Sequence, residues 1–227
     1  MHNRGYIHRD IKPDNIFRTT KGEIKIGDFG FVTDKLLFGF VGGAGTPQYI
    51  APEVLATLKC SFLTDVYSLG ATFLHLAHGD IWFSRAGKNA VLKHINFNGE
   101  TWPVIADEYA FLPHIPVSWR KVIKKMTSGD PAKRYQSMES CVDAISRLPV
   151  VADWQCEVKT DSVSWSLVKG GRMWRVQWDG YFTPKESWVA WSEDLDGKRK
   201  KTLGKSDHRD KPSKHYKSLQ KWFVDRK

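Results

Sequence analysis

The sequence has no apolar run that approaches the roughly 20 residues that a membrane-spanning helix needs, and no basic and then apolar leader at its N-terminus. We therefore expect the chain neither to enter nor to cross a membrane. Cysteine is scarce. Cys60, Cys141 and Cys156 are scattered, odd in number, and without the two-residue spacing of a zinc or redox pair. This pattern is typical of a reducing compartment and favours a cytoplasmic location.

The 227 residues have the composition of a globular protein, 41% hydrophobic and 26% charged, with a net charge of +10 that is unevenly spread. Residues 197–227 contain 12 Lys and Arg against 3 Asp and Glu, whereas residues 151–196 contain 5 against 8. We expect residues 196–213 to be a solvated, lysine-rich linker that does not fold. Nucleic acid is therefore not an expected partner.

Helical patterns dominate the first two-thirds of the chain. Residues 14–27 come first and predict a short β-hairpin with its turn at Lys21-Gly22. A glycine-rich loop follows from Asp28 to Thr46. A central helix is then predicted, with Thr64 as its N-cap and Gly79 as its end. Further helices are predicted over residues 87–95, 117–127 and 136–147.

The pattern changes after Pro149, where seven of the ten tryptophans lie between Trp154 and Trp222. Alternating residues around Gly170-Gly171 predict a hairpin, and "SWVAW" predicts a third strand. Stacking of nucleic-acid bases on this sheet is one reading of its tryptophans, but the alternation of Trp174, Val176 and Trp178 favours a small packed core. We expect a small antiparallel β module over residues 150–196 for recognition of a partner or substrate. A basic linker and a short helix over about 214–225, capped by Ser213, follow in residues 197–227.

Three motifs occur in a fixed order near the start of the chain: "HRDIKPDN" at 8–15, "DFG" at 28–30 and "APE" at 51–53. In this order and spacing they resemble the C-terminal lobe of eukaryotic-type Ser/Thr protein kinases. The resemblance covers residues 1–149. It implies an α+β protein, in which a mainly α-helical kinase lobe is followed by the small antiparallel β module and the basic tail.

The resemblance also implies chemistry, the transfer of the ATP γ-phosphate to a serine or threonine hydroxyl of a protein substrate. Asp10 would accept or orient the hydroxyl proton, and Asn15 and Asp28 would supply oxygen ligands to Mg²⁺. Lys12 would stabilise the migrating phosphoryl group. Lysine at that position, together with Gly45-Thr46, is the Ser/Thr-kinase pattern. The implied cofactors are ATP and Mg²⁺.

Other positions match supporting roles in the family. Phe17 would lie beneath the adenine, although an ordinary core position on its strand is an equal alternative. Asp65 would hold the backbone of the catalytic loop, and Glu53 and Arg134 would form a buried ion pair that anchors the activation segment. The remaining supporting residues are those of the apolar stack behind the site and the arginine beside the catalytic aspartate: His8, Phe29, Gly30 and Arg9.

In kinases of this type, an arginine at the position of Arg9 usually occurs together with a phosphorylated activation loop, and the arginine binds the phosphate. Here the segment "FVTDKLLFGFVGGAG" offers only Thr33 before Thr46, and its centre is apolar. We therefore expect a hydrophobic partner or permanent order, and not phosphorylation, to set the conformation of the loop. A phosphate on Thr33 in active protein would overturn this expectation.

The sequence contains no glycine-rich phosphate loop ahead of the catalytic motif, no strand lysine and no partnering helix glutamate. The run Gly42-Gly43-Ala44-Gly45 follows no strand and is not a substitute. Three explanations are open: a gene fragment or a wrongly chosen start codon, a split kinase completed by a complementing N-lobe chain, or a remnant that only binds. We expect little turnover from the chain alone. The alternative function is a non-catalytic, kinase-like scaffold whose C-terminal module binds a partner or nucleic acid.

Overall fold

The computed structural model describes residues 1–32, 47–57, 59–84, 111–181, 183–207 and 212–226. They form two compact units, Met1–Phe111 with Val117–Leu148, and Leu112–Pro116 with Pro149–Lys227. Helices and antiparallel sheets both occur, which confirms the α+β expectation. None of the helices in the described ranges combines the length and the apolar character needed to span a membrane. The predicted helix over 87–95, the run 42–45, Thr33 and Thr46 lie outside the described residues.

The first unit begins with the predicted hairpin. Strands β1 (Ile16–Arg18) and β2 (Ile24–Ile26) pair antiparallel, with Phe17 opposite Lys25. Gly22 adopts a φ of +84° in the turn, a conformation that glycine reaches without the steric cost of a Cβ. Helices of this unit that lie wholly within the described residues are α1 (Pro52–Thr57), α2 (Phe62–His78), α3 (Val117–Met126) and α4 (Met138–Ser146).

Helix α2 starts earlier than predicted. Its N-cap is Ser61, and the predicted cap, Thr64, is the third helical residue. The Ser61 hydroxyl accepts a hydrogen bond from the Leu63 N–H at 3.2 Å, and the Thr64 hydroxyl oxygen accepts one from the Ser61 N–H at 3.3 Å. The two side chains thus satisfy orphan donors reciprocally, as in a capping box. Gly79 ends the helix as predicted, and its N–H donates to the His75 carbonyl at 2.8 Å.

The core of the first unit forms where α2 packs against α3 and α4. Val66, Val122, Met126 and Cys141 form a buried cluster at this contact. Gly70 brings α2 close to the end of α3, because a Cβ built on it would lie 2.6 Å from Met126 Cβ and 2.8 Å from Thr127 Cγ2. This close approach explains a glycine in the middle of a helix, where glycine otherwise costs about 1 kcal/mol relative to alanine.

Replacement of Gly70 by alanine is therefore expected to destabilise the first unit. The added methyl group overpacks the α2–α3 contact and costs about 1–3 kcal/mol, more than the gain in helix propensity. Urea denaturation would measure the change in the free energy of unfolding. Leu76→Ala is the control, because Leu76 lies on the same helix but is exposed. A Gly70→Ala variant as stable as the wild type would contradict the packing described here.

The second unit is a five-stranded antiparallel sheet with a helix on one face. Its elements are β3 (Gln155–Val158), β4 (Ser162–Lys169), β5 (Arg172–Asp179), β6 (Ser187–Asp194), β7 (Lys201–Lys205) and α5 (Pro212–Val224), with the strands in sequence order across the sheet. The hairpin of β4 and β5 is confirmed, and Gly170 and Gly171 have φ values of +59° and +71°. The third predicted strand corresponds to β6.

Tryptophan side chains build the core of this unit. Trp165 and Trp178 are buried on one face of the sheet and stack at 6.4 Å between ring centroids. Phe223 of α5 meets the Trp165 ring edge-on at 5.2 Å, and Leu219 is fully buried. The buried side chains of Val176 and Trp178 confirm the core interpretation of their strand face. The segment Leu112–Pro116 joins this unit, where His114 Nδ1 accepts a hydrogen bond from Trp165 Nε1 at 2.9 Å.

The prediction of an unfolded linker over 196–213 is wrong, because this segment contributes β7. The strand pairs with β6, with Lys205 opposite Val189 and Gly204 opposite Ala190. Gly204 allows Trp222 of α5 to pack directly on the strand, since a Cβ there would lie 2.8 Å from the indole. An edge strand with exposed lysines has the composition of a linker. Composition alone therefore predicts a linker where the structure has a strand. Strand β3 was also not predicted.

Candidate active site

A buried carboxylate on α2 holds the backbone of the "HRD" segment. Asp65 Oδ2 accepts a hydrogen bond from the His8 N–H at 2.7 Å, and Asp65 Oδ1 accepts one from the Arg9 N–H at 2.8 Å. The side chain of His2 reaches the same carboxylate, 2.8 Å from Oδ2. Arg9 has a φ of +70°, which is unusual for a residue with a side chain. Asp65 therefore holds a strained turn that directs the next residue, Asp10.

Lys12 and Asn15 converge on one oxygen of the Asp10 carboxylate. Lys12 Nζ donates to Asp10 Oδ2 at 2.8 Å, and Asn15 Nδ2 donates to the same oxygen at 2.9 Å and to the Asp10 carbonyl at 2.8 Å. Asp10 and Asn15 are both buried. Within the described parts of the chain, no donor contacts Asp10 Oδ1 or the Asn15 side-chain oxygen. Two oriented acceptors are thus available to a substrate or a metal ion.

Asp28 is brought next to this cluster by the backbone. The Gly27 N–H donates to the Asn15 carbonyl at 2.9 Å, and His8 Nε2 lies 3.1 Å from the Gly27 carbonyl. Asp28 itself has a φ of +57°, and its Oδ1 accepts the Gly30 N–H at 3.3 Å. These contacts join the residue before the "DFG" segment to both ends of the "HRDIKPDN" segment. The backbone that carries Asp28 is therefore held next to the backbone of Asn15.

The oxygen donors of Asn15 and Asp28 fit the chemistry of Mg²⁺. This cation prefers hard oxygen ligands and usually binds through one or two carboxylates together with substrate phosphates and water. No group of three or more His, Cys, Asp and Glu that could hold a metal occurs in the portion of the chain that the structure describes. A cation held by these few protein oxygens would thus take its remaining ligands from phosphates and water.

The family comparison agrees with this geometry: residues 1–144 match the protein kinase domain. The chain belongs to the protein kinase family. It is 30% identical over 172 residues to 3-phosphoinositide-dependent protein kinase 1 of Arabidopsis thaliana, a match that covers 68% of this chain and 33% of the relative. It is 35% identical over 149 residues to serine/threonine-protein kinase PknA of Mycobacterium tuberculosis, with coverage of 64% and 32%.

A third relative is protein kinase C delta type of Rattus norvegicus, 32% identical over 142 residues, with coverage of 59% of this chain and 19% of the relative. This kinase chain thus spans about a third or less of the length of the curated relatives that it matches.

Two aromatic residues of the predicted site lie at the surface of the kinase unit. Phe17 is 53% exposed, so the alternative of an ordinary core position does not hold in the described structure. Its ring packs on Gly27, where a Cβ would lie 2.7 Å from the ring. Phe29 is 60% exposed and lies 5.7 Å from the His8 ring, tilted by 53°. His8 is buried, so the pair joins one buried ring to one exposed ring.

Glu53 and Arg134 form the ion pair that the resemblance implies. Arg134 Nη1 and Nη2 donate to the two carboxylate oxygens of Glu53 at 2.6 and 2.7 Å. The same guanidinium donates to the Leu63 carbonyl at 2.9 Å and to the Ser128 carbonyl at 2.8 Å. The Arg134 side chain is fully buried. One side chain therefore joins α1, the start of α2 and the segment after α3.

Sequence reasoning missed the hydroxyl groups of α2 that hold neighbouring segments. Thr72 Oγ1 donates to the Ile11 carbonyl of the catalytic loop at 3.3 Å, and Ser68 Oγ donates to the Tyr49 carbonyl at 2.8 Å. Tyr49 OH in turn lies 2.5 Å from His75 Nδ1, and burial raises the pKa of this phenol. The sequence feature that could have indicated these contacts is the four-residue spacing of Thr64, Ser68 and Thr72, which places their hydroxyl groups on one face of α2, the buried face.

Thr46 is the one predicted site residue outside the described part of the chain. The other predicted residues fall into three groups of contacts. The loop group is Asp10, Lys12 and Asn15, the "DFG" group is His8, Phe17, Asp28, Phe29 and Gly30, and the supporting group is Arg9, Asp65, Glu53 and Arg134.

Proposed function

We propose that this protein kinase catalyses Mg²⁺-dependent transfer of the ATP γ-phosphate to a serine or threonine hydroxyl of a protein. The observation that supports this most strongly is the arrangement around Asp10. Its Oδ2 carries both donors, Lys12 Nζ at 2.8 Å and Asn15 Nδ2 at 2.9 Å, and Oδ1 is left for a substrate hydroxyl. A carboxylate fixed in this way can orient an alcohol and receive its proton.

Each of the other side chains has a matching task. Lys12 holds a compact positive charge beside the carboxylate, where it would stabilise the anionic phosphoryl group during transfer. Asn15 orients Asp10 through its amide and offers its oxygen to the metal. Asp28 offers the second metal ligand. When bound, Mg²⁺ neutralises the triphosphate charge and fixes its orientation.

Two observations favour serine or threonine as the acceptor. Lys12 stands two residues after Asp10, as in the Ser/Thr-kinase pattern. One of the relatives, PknA, is by name a serine/threonine-protein kinase. Thr46 is proposed to act with Lys12 at the substrate hydroxyl. That the acceptor hydroxyl belongs to a protein is a further part of the proposal.

An apolar surface beside the site favours a polypeptide that completes the nucleotide site. The hairpin exposes Phe17 on one face and Ile24 and Ile26 on the other, and Phe29 is also exposed. Exposed apolar side chains in one region usually mark an interaction surface. We propose that the segment or chain that contributes the glycine-rich loop and its lysine covers these exposed side chains.

Thermal denaturation with Mg·ATP tests the proposal. A ligand at about ten times its Kd stabilises by about 1.4 kcal/mol, which raises the melting temperature of a domain of this size by roughly 3–6 °C. Asp28→Asn is expected to abolish the shift, because it removes the anionic metal ligand. Asp14→Asn is the matched control, since Asp14 is an exposed carboxylate of the neighbouring "HRDIKPDN" segment. No shift in the wild-type protein, or the same shift in EDTA, would favour the non-catalytic scaffold.

A further inference from the structure

The sheet of the second unit ends in two edge strands, β3 and β7, which differ in what covers their outer backbone groups. Strand β7 carries exposed lysines and a register shift against β6 between Ala190 and Trp191. Its Leu203 carbonyl accepts hydrogen bonds from Trp222 Nε1 at 3.4 Å and Arg226 Nη2 at 3.3 Å. Lysines, irregular pairing and covering side chains keep other strands from adding to an edge. The β7 edge is therefore blocked by its own unit.

Strand β3 pairs regularly with β4, and one hydrogen bond fixes the direction of its backbone groups. The Lys159 N–H, just after the strand, donates to the Ser162 carbonyl at 2.8 Å. Residues of an antiparallel strand alternate between facing the partner and facing away, so the N–H and C=O groups of Cys156 and Val158 point away from β4. Within the described residues, no hydrogen bond engages these four groups. We call these two donors and two acceptors the β3 edge.

The side of β3 that faces away from the tryptophan core is acidic. Gln155 and Glu157 lie on the face of the sheet opposite the buried Trp165. Gln155 Nε2 donates to Asp153 Oδ1 at 3.3 Å, which brings a second carboxylate to the same side. The pair of Glu157 with Lys159, at 3.5 Å, is exposed, and an incoming cation can compete with an exposed pair.

The same face of the sheet holds a depression of about 650 Å³ that begins at β3 and reaches β6. Its lining includes Gln155, Glu157, Gln177, Trp191 and Glu193. A long side chain that crosses β3 from an added strand has room in this depression. The depression therefore favours long, polar side chains on this side of an added strand.

The core side of β3 offers apolar surface to an added strand. Trp154, just before β3, meets the Phe223 ring edge-on at 5.3 Å and is only half-buried. Cys156 is exposed, and Val158 is half-buried. Successive side chains of a strand point to opposite faces of the sheet. A strand that matches both sides of β3 therefore alternates basic and apolar residues.

We propose that the β3 edge binds an extended basic peptide by strand addition, with lysine or arginine at every second position and apolar residues between them. The peptide runs antiparallel to β3, as in every strand pair of this sheet. Backbone hydrogen bonds to Cys156 and Val158 provide affinity, and the alternating side chains provide specificity. Basic side chains lie beside Gln155 and Glu157, where a cross-strand pair of opposite charge is favourable. The proposal does not depend on phosphoryl transfer by the first unit.

Other occupants fit the β3 edge less well. The carboxylates of Asp153 and Glu157 repel the phosphates of nucleic acids and anionic lipids. A second copy of this chain, paired through β3 by a two-fold axis, would bring the same carboxylates against each other. Like charges across a strand pair are destabilising, so a basic peptide is the occupant that the charges favour.

Fluorescence anisotropy with the full chain tests the proposal, with a labelled peptide of alternating lysine and valine as the probe. A peptide with the same residues in two blocks, lysines first and then valines, places its charges on both sides of the strand. It is expected to bind at least about tenfold more weakly. A peptide with glutamate in place of lysine is expected to show at least an equal loss.

Methylation of the peptide backbone tests the register of strand addition. In the antiparallel arrangement the valines lie opposite Cys156 and Val158, so that their N–H groups face β3 and those of the lysines face away. N-methylation of the valines is expected to lower affinity at least about tenfold, whereas N-methylation of the lysines changes it less than about threefold. The unmethylated peptide is also expected to slow hydrogen exchange of the Cys156 and Val158 amides at least about tenfold.

A charge variant of the protein tests the acidic side. Asp153→Asn combined with Glu157→Gln is expected to lower affinity about 2–30-fold. The matched control is Asp196→Asn combined with Asp207→Asn, because these exposed carboxylates flank β7 at the opposite edge. It changes net charge by the same amount and is expected to leave affinity within about twofold. Tryptophan fluorescence and melting temperature establish that both variants are folded.

Several results would overturn the proposal. They are equal affinity for the alternating and block peptides, equal loss for the two methylated peptides, and equal loss in the two charge variants. No binding of the alternating peptide at low salt would also overturn it. So would tighter binding of a DNA duplex or of anionic vesicles, or a dimer of the chain that pairs through β3 and excludes the peptide.

Discussion

Replacing Asp10 by asparagine is expected to lower kcat for peptide phosphorylation by about 10²–10⁴-fold, the usual contribution of a positioned acid or base. The substitution keeps the size of the side chain but removes the charge that pairs with Lys12 and the acceptor for the substrate proton. The KM for ATP is expected to stay close to the wild-type value, because the proposed metal ligands Asn15 and Asp28 are unchanged. Transfer of labelled phosphate from ATP to a serine peptide measures both quantities.

The assay should use protein that is affinity-purified from the organism that produces it, through a tag placed after Lys227. This retrieval recovers the natural polypeptide that carries these residues, together with any chain that completes the nucleotide site. Asp14→Asn serves as the control, since it neutralises an exposed carboxylate four residues away and is expected to leave kcat unchanged. If Asp10→Asn kept kcat within about threefold of wild type, a role for Asp10 at the substrate hydroxyl would be untenable.

Removing the guanidinium of Arg134 is expected to cost about 3–5 kcal/mol of the free energy of unfolding, the range for breaking a buried pair by deleting one partner. Arg134→Ala leaves the Glu53 carboxylate without its two donors and leaves the Leu63 and Ser128 carbonyls without their side-chain donor. An unsatisfied group in the interior loses its full hydration without compensation. Urea denaturation followed by far-UV circular dichroism measures the effect.

The neighbouring Lys133→Ala is the control for this stability prediction, because Lys133 is exposed and pairs only with the surface residue Asp130 at 3.7 Å. Its expected cost is within about 1 kcal/mol. Arg134→Lys keeps the charge but loses the bidentate geometry, so an intermediate cost is expected. A cost for Arg134→Ala no larger than that of Lys133→Ala would show that the four hydrogen bonds do not hold the unit together.

Elements with a strong period were predictable from sequence alone. The Trp165 and Trp178 hairpin and helix α2 were found because alternation and helical spacing directly record which face is buried. The start of α2 was misplaced, since either Ser61 or Thr64 is a good cap and only the reciprocal hydrogen bonds distinguish them. Strand β7 was missed because its pairing with β6 and its contact with Trp222 are tertiary, and its own residues are polar.

The contacts of the candidate site also divide into those that the sequence indicated and those that it did not. Asp10, Lys12 and Asn15 lie within six residues, so that their motif alone indicated a cluster. The contact of Asp65 with His8 and Arg9 joins residues more than 50 positions apart and was available only through the family resemblance. The contact of Thr72 with the Ile11 carbonyl had no such guide, because a buried threonine on a helix is also common in cores.

The proposed phosphoryl transfer requires that Asn15 and Asp28 hold one nucleotide-bound metal ion beside Asp10, and NMR can test this most directly. Mn²⁺ in place of Mg²⁺ broadens the NMR signals of nearby nuclei, and titration with Mn·ATP would map its position on the labelled chain. We predict broadening of the Asn15 side-chain amide and the Gly30 N–H, and loss of that broadening in Asp28→Asn. Broadening centred elsewhere, or broadening of Asn15 that persists in Asp28→Asn, would contradict a shared metal site and with it the proposed phosphoryl transfer.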